Sequence, residues 1–415
     1  MRRRIVSAAA GRVALFLHLI RYKRIYRIPA CPRHTRAVME CWDAVIVGAG
    51  PAGCAAAWDL ASAGRSVLLL DRAEFPRHKA CAGGLTRKSL RALRYSVAPV
   101  VRETVSALVV ESRRGEAAAL VSRTAVCAMT VRRELDAFCL QQTLAAGARW
   151  ARIGPILSIE ESDRDVIVQT DGPSYRGRFL IGADGVHSRV RQLVQGEAPA
   201  WFRRGFALEA EVHPADGDAS GLVFDLAPVR QGYGWIFPKG DHLNVGLYTE
   251  STREKLDRPR LSRYIGERFR AAQAEAVTGQ FLGFGAEEAP ATEGRVLLTG
   301  DAGGFADPLT GEGIYGAIAS GQAAAAAIRA ALEGRQSAGR AFADLTAPLR
   351  RDLRLSASGA RWFYGNPELG FRALTAPVFR GAVINAYANG TRIAALANAV
   401  RRFARVFSSR PAMNL

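Results

Sequence analysis

The sequence lacks three features that would place it at once in a large class of proteins. No apolar run approaches the roughly twenty residues that a membrane-spanning helix needs, and the best candidate, Val13–Ile20, is short and bounded by arginines. The six cysteines show neither zinc-site spacing nor a secreted disulfide framework, so we expect reduced thiols and a cytoplasmic protein. No small-residue cleavage site follows the apolar part of the basic N-terminus, which argues against a signal peptide.

The positive charge is concentrated at the two ends of the chain. The formal net charge is +19, but residues 1–38 contain ten Lys/Arg and no acid, and residues 345–415 contain eleven Arg and two acids. The region between them is therefore neutral by count. Nucleic-acid-binding proteins more often carry a basic stripe on the folded body together with a recognisable motif, and the sequence has none. We predict no nucleic-acid partner, and peripheral association with an anionic membrane surface on the cytoplasmic face.

The extension 1–38 has two interpretations. Met39 stands shortly before the first apolar strand, which favours an upstream extension or a misplaced start codon. The basic and apolar composition alternatively suits an amphipathic helix that lies on a membrane surface.

Residues 43–72 have the pattern of a dinucleotide-binding unit. The apolar strand 44–47 is followed by six residues that fit G-x-G-x-x-G. Gly48 permits the tight turn, Gly50 lets a pyrophosphate approach the backbone, and Gly53 lets the helix pack closely on the strand.

The rest of this unit occurs in the required order. A helix from about Ala52 to Ala63 presents its positive N-terminus to the pyrophosphate. A second strand, 66–70, leads to Asp71 and Arg72, and a carboxylate at this point accepts the ribose hydroxyls of a nucleotide. A strand-turn-helix without a ligand is the alternative.

Residues 295–316 repeat this organisation far downstream. The strand 296–299 ends at Gly300-Asp301, and a glycine-rich loop with Gly311 and Gly313 precedes a helix from about Ile314. Two such units predict one large cofactor held from both ends, which is FAD. Asp301 would then accept from the ribityl hydroxyls, and the loop amides and the helix N-terminus would reach the flavin pyrimidine edge. Glu312, within this loop, is interpreted as a helix-start charge rather than a catalyst.

The segments between these two units add further predictions, and two of them leave alternatives open. Asp184 follows a third apolar strand between glycines, as a cofactor contact or a turn residue, and residues 130–136 begin a helix. Strands 151–159 and 165–169 are predicted as parts of a meander.

The segment 75–85 follows the first unit directly. In it, Lys79 can interact with flavin or an anionic substrate group, and Cys81 can face the ring. The alternative is a basic surface loop with a small buried cysteine.

Between residues 200 and 290 the sequence alternates between apolar and polar residues, as antiparallel strands do. The strands are predicted at 206–211, 222–225, 233–237 and 243–248. Tyr233, Trp235 and Phe237 share one face of a strand. That face can form the wall of an apolar substrate channel, or it can belong to a hydrophobic core.

We therefore predict an α/β protein: a Rossmann-type FAD-binding domain, an inserted antiparallel β-sheet substrate domain and a helical C-terminal region. In the last region, 345–355 and 391–407 are predicted basic helices, as a lid or as a membrane-surface pair. The predicted domains are the extension 1–38, the FAD-binding domain 39–95, 126–196 and 290–330, the substrate domain 96–125 and 197–289, and the C-terminal region 331–415.

Together these blocks resemble the geranylgeranyl reductase family, within the glutathione-reductase-type FAD enzymes that also include the aromatic-hydroxylase monooxygenases. The resemblance covers roughly residues 41–330. It rests on the glycine fingerprint 48–53, Pro76-x-x-Lys79-x-Cys81, Gly182-Ala183-Asp184-Gly185, Tyr233-x-Trp235-x-Phe237-Pro238, and Gly300-Asp301 with 307–313. The second and fourth blocks separate this family from its monooxygenase relatives. Members reduce isolated double bonds of long isoprenoids: geranylgeranyl diphosphate, geranylgeranyl chlorophyll precursors, archaeal-type phospholipid chains or the menaquinone tail.

The resemblance implies roles by position. Lys79 and Cys81 are the implied catalytic residues beside the flavin. The implied substrate residues are Tyr233, Trp235, Phe237 and Tyr248. The implied FAD-binding residues are Gly48, Gly50, Ala52, Gly53, Asp71, Arg72, Cys81, Ala82, Gly83, Arg132, Asp184, Gly300, Asp301, Gly311, Glu312, Gly313 and Ile314. Two residues depart from the family pattern: Tyr248 stands where a glycine is expected, which narrows the channel, and Ala82 stands where a glycine is common, which stiffens the Cys81 loop.

The predicted activity is hydride transfer from reduced flavin N5 to an unpolarised alkene, which needs a positioned acid and a dry apolar channel. NAD(P)H, bound transiently because no second fingerprint exists, or a small electron-donor protein reduces the flavin. Two alternatives stay open. One is an FAD-dependent monooxygenase or halogenase of small aromatic or polyketide substrates, and the other is a non-catalytic electron-transfer flavoprotein.

Overall fold

The computed structural model describes residues 39–197, 199–213, 221–269 and 274–389. The strands are β1 (Cys41–Val47), β2 (Val67–Asp71), β3 (Gly84–Thr86), β4 (Val101–Val105), β5 (Ala107–Glu111), β6 (Ala117–Val121), β7 (Cys127–Thr130), β8 (Arg149–Arg152), β9 (Ile156–Glu161), β10 (Val166–Thr170), β11 (Tyr175–Gly182), β12 (Arg203–Val212), β13 (Leu222–Asp225), β14 (Gly232–Pro238), β15 (Leu243–Thr249), β16 (Ala274–Phe284) and β17 (Val296–Leu298). The helices are α1 (Pro51–Ser62), α2 (Arg87–Ala92), α3 (Arg132–Ala145), α4 (Arg189–Gln195), α5 (Arg258–Arg268), α6 (Ile314–Leu332), α7 (Ala338–Gly365), α8 (Pro367–Thr375) and α9 (Pro377–Asn389).

The first sheet has a parallel centre in which β8, β2, β1 and β11 lie side by side, and β17 pairs with the end of β11. The start of β11 pairs instead with β10, which continues to β9 in antiparallel fashion. Parallel strands that are buried on both faces appear as continuous apolar runs, and Ile46 and Leu69 are accordingly fully buried. The predicted α/β class with a Rossmann-type domain is confirmed.

Helices α1 and α6 cover one face of this sheet and lie unusually close together. A Cβ on Gly321 of α6 would stand 2.2 Å from the carbonyl oxygen of Ala52 in α1. This close approach explains why both helices consist largely of alanine and glycine. It also brings the N-termini of the two helices to the same side of the sheet.

The second sheet has the order β16-β12-β15-β14-β13-β5-β6 and is antiparallel except between β13 and β5. The inserted antiparallel sheet predicted from the alternating pattern is therefore present, and the segment 107–121 joins it. A small sheet, β3-β7-β4, lies at the side. Helix α7 packs on α6, and α9 contacts β6, β3 and α2.

One predicted strand is wrong. Residues 151–159 do not form a single strand of a meander, because Gly154-Pro155 separates β8 from β9. Proline lacks the N–H that a central strand must donate. Strand β8 is instead the parallel edge strand beside β2.

The predicted helix 345–355 lies within the longer α7, whereas the predicted helix 391–407 and the extension 1–38 lie outside the described residues. Within the described ranges, none of the helices combines the length and the apolar character needed to span a bilayer.

Candidate functional site

A cavity of about 1460 Å³ lies between the carboxyl ends of β1, β2 and β11 and one face of the second sheet. Carboxyl ends of parallel strands are where α/β sheets bind their ligands. All the predicted site residues except Gly53 line this cavity. They are Gly48, Gly50, Ala52, Asp71, Arg72, Lys79, Cys81, Ala82, Gly83, Arg132, Asp184, Tyr233, Trp235, Phe237, Tyr248, Gly300, Asp301, Gly311, Glu312, Gly313 and Ile314.

The turn after β1 can accept only glycine at two of its positions. Gly48 has φ +104°, and a Cβ there would lie 2.3 Å from the Ala183 carbonyl oxygen. A Cβ on Gly53 would lie 1.8 Å from the Gly48 carbonyl oxygen. Gly53 thus packs α1 against the turn from behind, which explains why it does not line the cavity.

Two helix N-termini open onto the cavity. Helix α1 begins after Gly50 and helix α6 after Gly313, and among the described residues neither has a side-chain cap or an acid in its first turn. An uncapped helix start has unsatisfied N–H groups and a partial positive charge, which suit an anionic ligand. These two starts lie where the sequence predicts the pyrophosphate and the flavin pyrimidine edge.

The carboxylates that are predicted to bind FAD differ in their hydrogen-bond partners within the protein. Asp71 accepts from the amides of Ala49 at 2.7 Å and Ala73 at 2.8 Å, which fixes it at the turn. Asp184 accepts from the Ser188 hydroxyl at 2.5 Å and the Arg189 amide at 2.7 Å, so its carboxylate holds the start of α4.

Asp301 is the carboxylate with cationic neighbours. Burial raises its pKa, and the nearby Lys79 and Arg132 act in the opposite direction. Its Oδ1 would be 3.3 Å from a Cβ on Gly313, so it lies at the start of α6. The contact of Asp301 with the ribityl chain stays a prediction.

The Glu312 carboxylate binds protein groups beside α2. It accepts from the Thr86 hydroxyl at 2.8 Å and the Ser89 hydroxyl at 3.0 Å, and it pairs with Lys88 at 2.5 Å. Glu312 therefore ties the glycine-rich loop to the segment that follows Cys81.

The Cys81 segment is surrounded by cationic side chains. Burial, followed by the Arg132 charge, lowers the pKa of Lys79 to about 8. Burial also lowers the pKa of Arg132, but Asp136 and Cys81 outweigh it and raise that pKa overall. Arg132 donates two hydrogen bonds to Asp136, at 2.8 and 2.9 Å. The Cys81 Sγ accepts from the Gly83 amide at 3.4 Å.

Aromatic side chains form the opposite wall. Tyr233, Trp235 and Phe237 of β14 line the cavity together with Phe224 of β13 and Tyr387 of α9. Ring centroids are 5.2 Å apart between Phe224 and Phe237 and 5.4 Å between Phe224 and Tyr233. Trp235 lines the cavity and yet is only 4% exposed. This face of β14 is therefore both a wall of the cavity and part of the hydrophobic core, so both interpretations made from the sequence describe it.

Comparison with known proteins agrees with this geometry. The profile of the FAD binding domain family matches residues 42–342. A geranylgeranyl diphosphate reductase from Rhodobacter capsulatus is 31% identical over 316 residues, which cover 70% of this chain and 76% of that protein. The chain belongs to the geranylgeranyl reductase family. It is an FAD-dependent oxidoreductase.

Two further similar proteins carry other names. A menaquinone reductase from Mycobacterium tuberculosis is 32% identical over 318 residues, covering 70% of this chain and 77% of that protein. A crystal structure of a geranylgeranyl bacteriochlorophyll reductase-like protein from Thermoplasma acidophilum superimposes with a TM-score of 0.72 at 21% identity, covering 88% of this chain and 96% of that chain. The structural similarity shows the same fold.

The residues present fit FAD. A Cβ on Gly50 would have only the Arg77 guanidinium within 4 Å, so the backbone of this turn is open to a ligand, and the two uncapped helix N-termini offer N–H groups to the pyrophosphate and the pyrimidine edge. The cavity is also larger than the roughly 300–1,000 Å³ of common small-molecule sites, as a ligand of the size of FAD requires.

Sequence reasoning missed two charged residues that hydrogen-bond the backbone of the Cys81 segment. Glu209 of β12 lines the cavity and accepts from the Cys81 amide at 2.8 Å. Lys239 follows β14 and donates to the carbonyls of Thr130, at 2.9 Å, and Ala82. The available signals were an acid on the cavity-facing side of a predicted strand, and a lysine directly after the Tyr-x-Trp-x-Phe-Pro block.

Glu250→Gln should stabilise the protein above neutral pH. Burial raises the Glu250 pKa to about 7, and the Tyr248 hydroxyl donates to this carboxyl at 3.1 Å. A raised carboxyl pKa contributes stability at acid pH that is lost as the pH rises through about 7. Glutamine accepts the same hydrogen bond without a charge. At about pH 8 the variant should therefore melt a few degrees above the wild type, and at about pH 4, below the ordinary carboxyl pKa, the two should be equal. The exposed Glu275→Gln is the control, and an equal shift for it would contradict the argument.

Proposed function

We propose that the protein hydrogenates isolated double bonds of a long-chain isoprenoid. The observation that carries this proposal is the aromatic wall of Tyr233, Trp235, Phe237, Phe224 and Tyr387, in the same cavity as the predicted FAD residues. A chain of isolated alkenes is apolar along its length and needs such a surface. The geranylgeranyl and menaquinone reductases among the relatives support this substrate class.

Bound FAD supplies the hydride, and the protein must supply the rest. An isolated alkene is not polarised, so a proton has to arrive as the hydride is delivered, from an acid held in a water-poor cavity. The buried aromatic wall excludes water, and we place Cys81 and Lys79 nearest to the proton transfer. Candidate substrates are geranylgeranyl diphosphate, a geranylgeranyl lipid or pigment, and the tail of menaquinone.

We also propose how the substrate and electrons reach the cavity. The basic C-terminal region attracts an anionic membrane surface, from which a lipid substrate can enter. Helix α9 supports this route, because its Tyr387 lines the cavity. The electrons come from transiently bound NAD(P)H or from a small electron-donor protein.

An anaerobic half-reaction tests this function. The purified protein is reduced with dithionite, and geranylgeranyl diphosphate or menaquinone is added in detergent. We expect the oxidised flavin absorbance to return and the lipid to gain two hydrogens per bond by mass spectrometry.

The same experiment separates the alternatives. If the flavin stays reduced until oxygen enters, and an aromatic compound accelerates NADPH oxidation in air, the protein is a monooxygenase or halogenase. If neither compound reacts but a redox partner reoxidises the flavin, it is an electron-transfer flavoprotein.

A further inference from the structure

Glu209 has a buried carboxyl group to which the proposed function assigns no role. It is 7% exposed and lies on β12, where it pairs with Gly246 of β15 and Thr278 of β16. Gly246 in turn pairs with Trp235 of β14, and a Cβ on Gly246 would lie 2.2 Å from the Trp235 indole. The indole therefore covers Gly246, and Glu209 stands next to the aromatic wall in the same row of the sheet.

The hydrogen bonds of Glu209 connect the two walls of the cavity. Its Oε1 accepts from the Cys81 amide at 2.8 Å. Asn244, whose Oδ1 accepts from Trp235 Nε1 at 2.7 Å, also hydrogen-bonds the Glu209 carboxyl. Because Oε1 is held by the Cys81 backbone, the carboxyl has a fixed orientation between the Cys81 segment and Trp235.

The charged and polar groups that face Glu209 come from three elements. The Lys239 ammonium group approaches from the end of β14 and the Arg132 guanidinium from α3, while the loop contributes the backbone amide of Cys81. Lys239 donates to the carbonyls of Ala82 and Thr130, and Arg132 to Asp136. Burial outweighs these cations and raises the pKa of Glu209 to about 7. A general acid works best when its pKa is close to the working pH, whereas an ordinary thiol, near 8.5, is a weaker acid.

We propose that Glu209 is the acid that supplies the proton consumed in each hydrogenation. This inference rests on the proposed function. The Glu209 carboxylic acid gives its proton to one alkene carbon, and the other carbon accepts the hydride that FAD in its reduced form would supply. The π bond is lost, two C–H bonds form, FAD is left oxidised, and the Glu209 carboxylate takes a new proton from water.

Glu209→Gln separates proton supply from loop positioning, because the glutamine oxygen can still accept from the Cys81 amide. We expect normal FAD content and normal reduction by dithionite, but hydrogenation about 10²-fold slower or more, the usual contribution of a general acid. The wild-type rate should fall as the pH rises through about 7, and the variant rate should be low and independent of pH. The control is Glu211→Gln, two residues along the same strand face, which should behave as the wild type. Glu209→Asp keeps a carboxyl and should recover part of the rate.

An infrared titration provides a readout that does not depend on activity. The titration is made in a Glu250→Gln background, because Glu250 also has a pKa of about 7. In that background the carbonyl stretch of a protonated carboxylic acid should disappear with a midpoint near pH 7, and this component should be missing when Glu209→Gln is added. Hydrogenation by Glu209→Gln at the wild-type rate, or a titration complete below about pH 5, would overturn the inference. If the wild type reduces no prenyl substrate, the proposed function fails; the infrared band still decides the protonation of Glu209.

Discussion

Gly53→Ala should yield a protein that no longer retains FAD. A Cβ at Gly53 would lie 1.8 Å from the Gly48 carbonyl oxygen and 3.4 Å from the Ala183 Cβ. A backbone carbonyl cannot rotate away as the end of a flexible side chain can, so α1 has to move off the turn, and its open N-terminus moves with it. Overpacking costs about 1–3 kcal/mol or more, and each 1.4 kcal/mol is a factor of ten. We therefore expect FAD affinity to fall on the order of a hundredfold, measured as flavin per protein after gel filtration.

Gly266→Ala is the matched control for this variant. Gly266 is also a helical glycine, in α5, but no described atom lies within 4 Å of a Cβ built there. Alanine is favoured over glycine inside a helix by about 1 kcal/mol, so this variant should keep FAD and be slightly more stable. Equal FAD contents in the two variants would show that close packing at Gly53 does not position the pyrophosphate site.

The FAD half of the protein could be predicted because its signals are local. From the Gly48 turn to Asp71, the strand, turn, helix and second strand follow one another within a short segment, and the structure keeps that order. The second sheet was predicted from its alternating pattern. Its cavity-facing partners were not, since Glu209 meets the Cys81 amide across 128 residues of sequence. A strand pattern shows which residues share a face but not what lies opposite that face.

The hydrogen-bond and ion-pair partners of the cavity carboxylates could not be predicted from the sequence either. Asp184, Asp301 and Glu312 all lie at strand or helix ends in glycine-rich segments, and all line the cavity. Only the structure shows that Asp184 holds the start of α4 and that Glu312 binds Lys88. Asp301 instead faces Lys79 and Arg132. The identity of an acid is visible in the sequence, while its partners depend on tertiary contacts.

Lys239→Met should abolish most of the proposed alkene reduction while FAD remains bound. Lys239 is 2% exposed, and its ammonium group donates to the carbonyls of Thr130, at 2.9 Å, and Ala82, next to Cys81. Methionine fills a similar space without a donor, so two buried carbonyls lose their partner, at about 1–3 kcal/mol each. The chain responds by moving the Cys81 segment. Because a displacement of about 1 Å at a reacting centre can cost 10²-fold in rate, we expect a loss of that order.

Two measurements distinguish a displaced Cys81 segment from general damage. FAD should remain bound even though Cys81, Ala82 and Gly83 are among its implied contacts, since the open helix N-termini at Gly50 and Gly313 and the carboxylate of Asp301 make no hydrogen bond to Lys239 among the described residues. Alkylation of Cys81, followed by mass spectrometry, should become faster as its loop loosens. Lys255→Met, at a lysine whose side chain is 86% exposed, should change neither the rate nor the alkylation. A Lys239→Met protein that reduces alkenes at the wild-type rate would show that this buried ammonium group does not place Cys81 for the reaction.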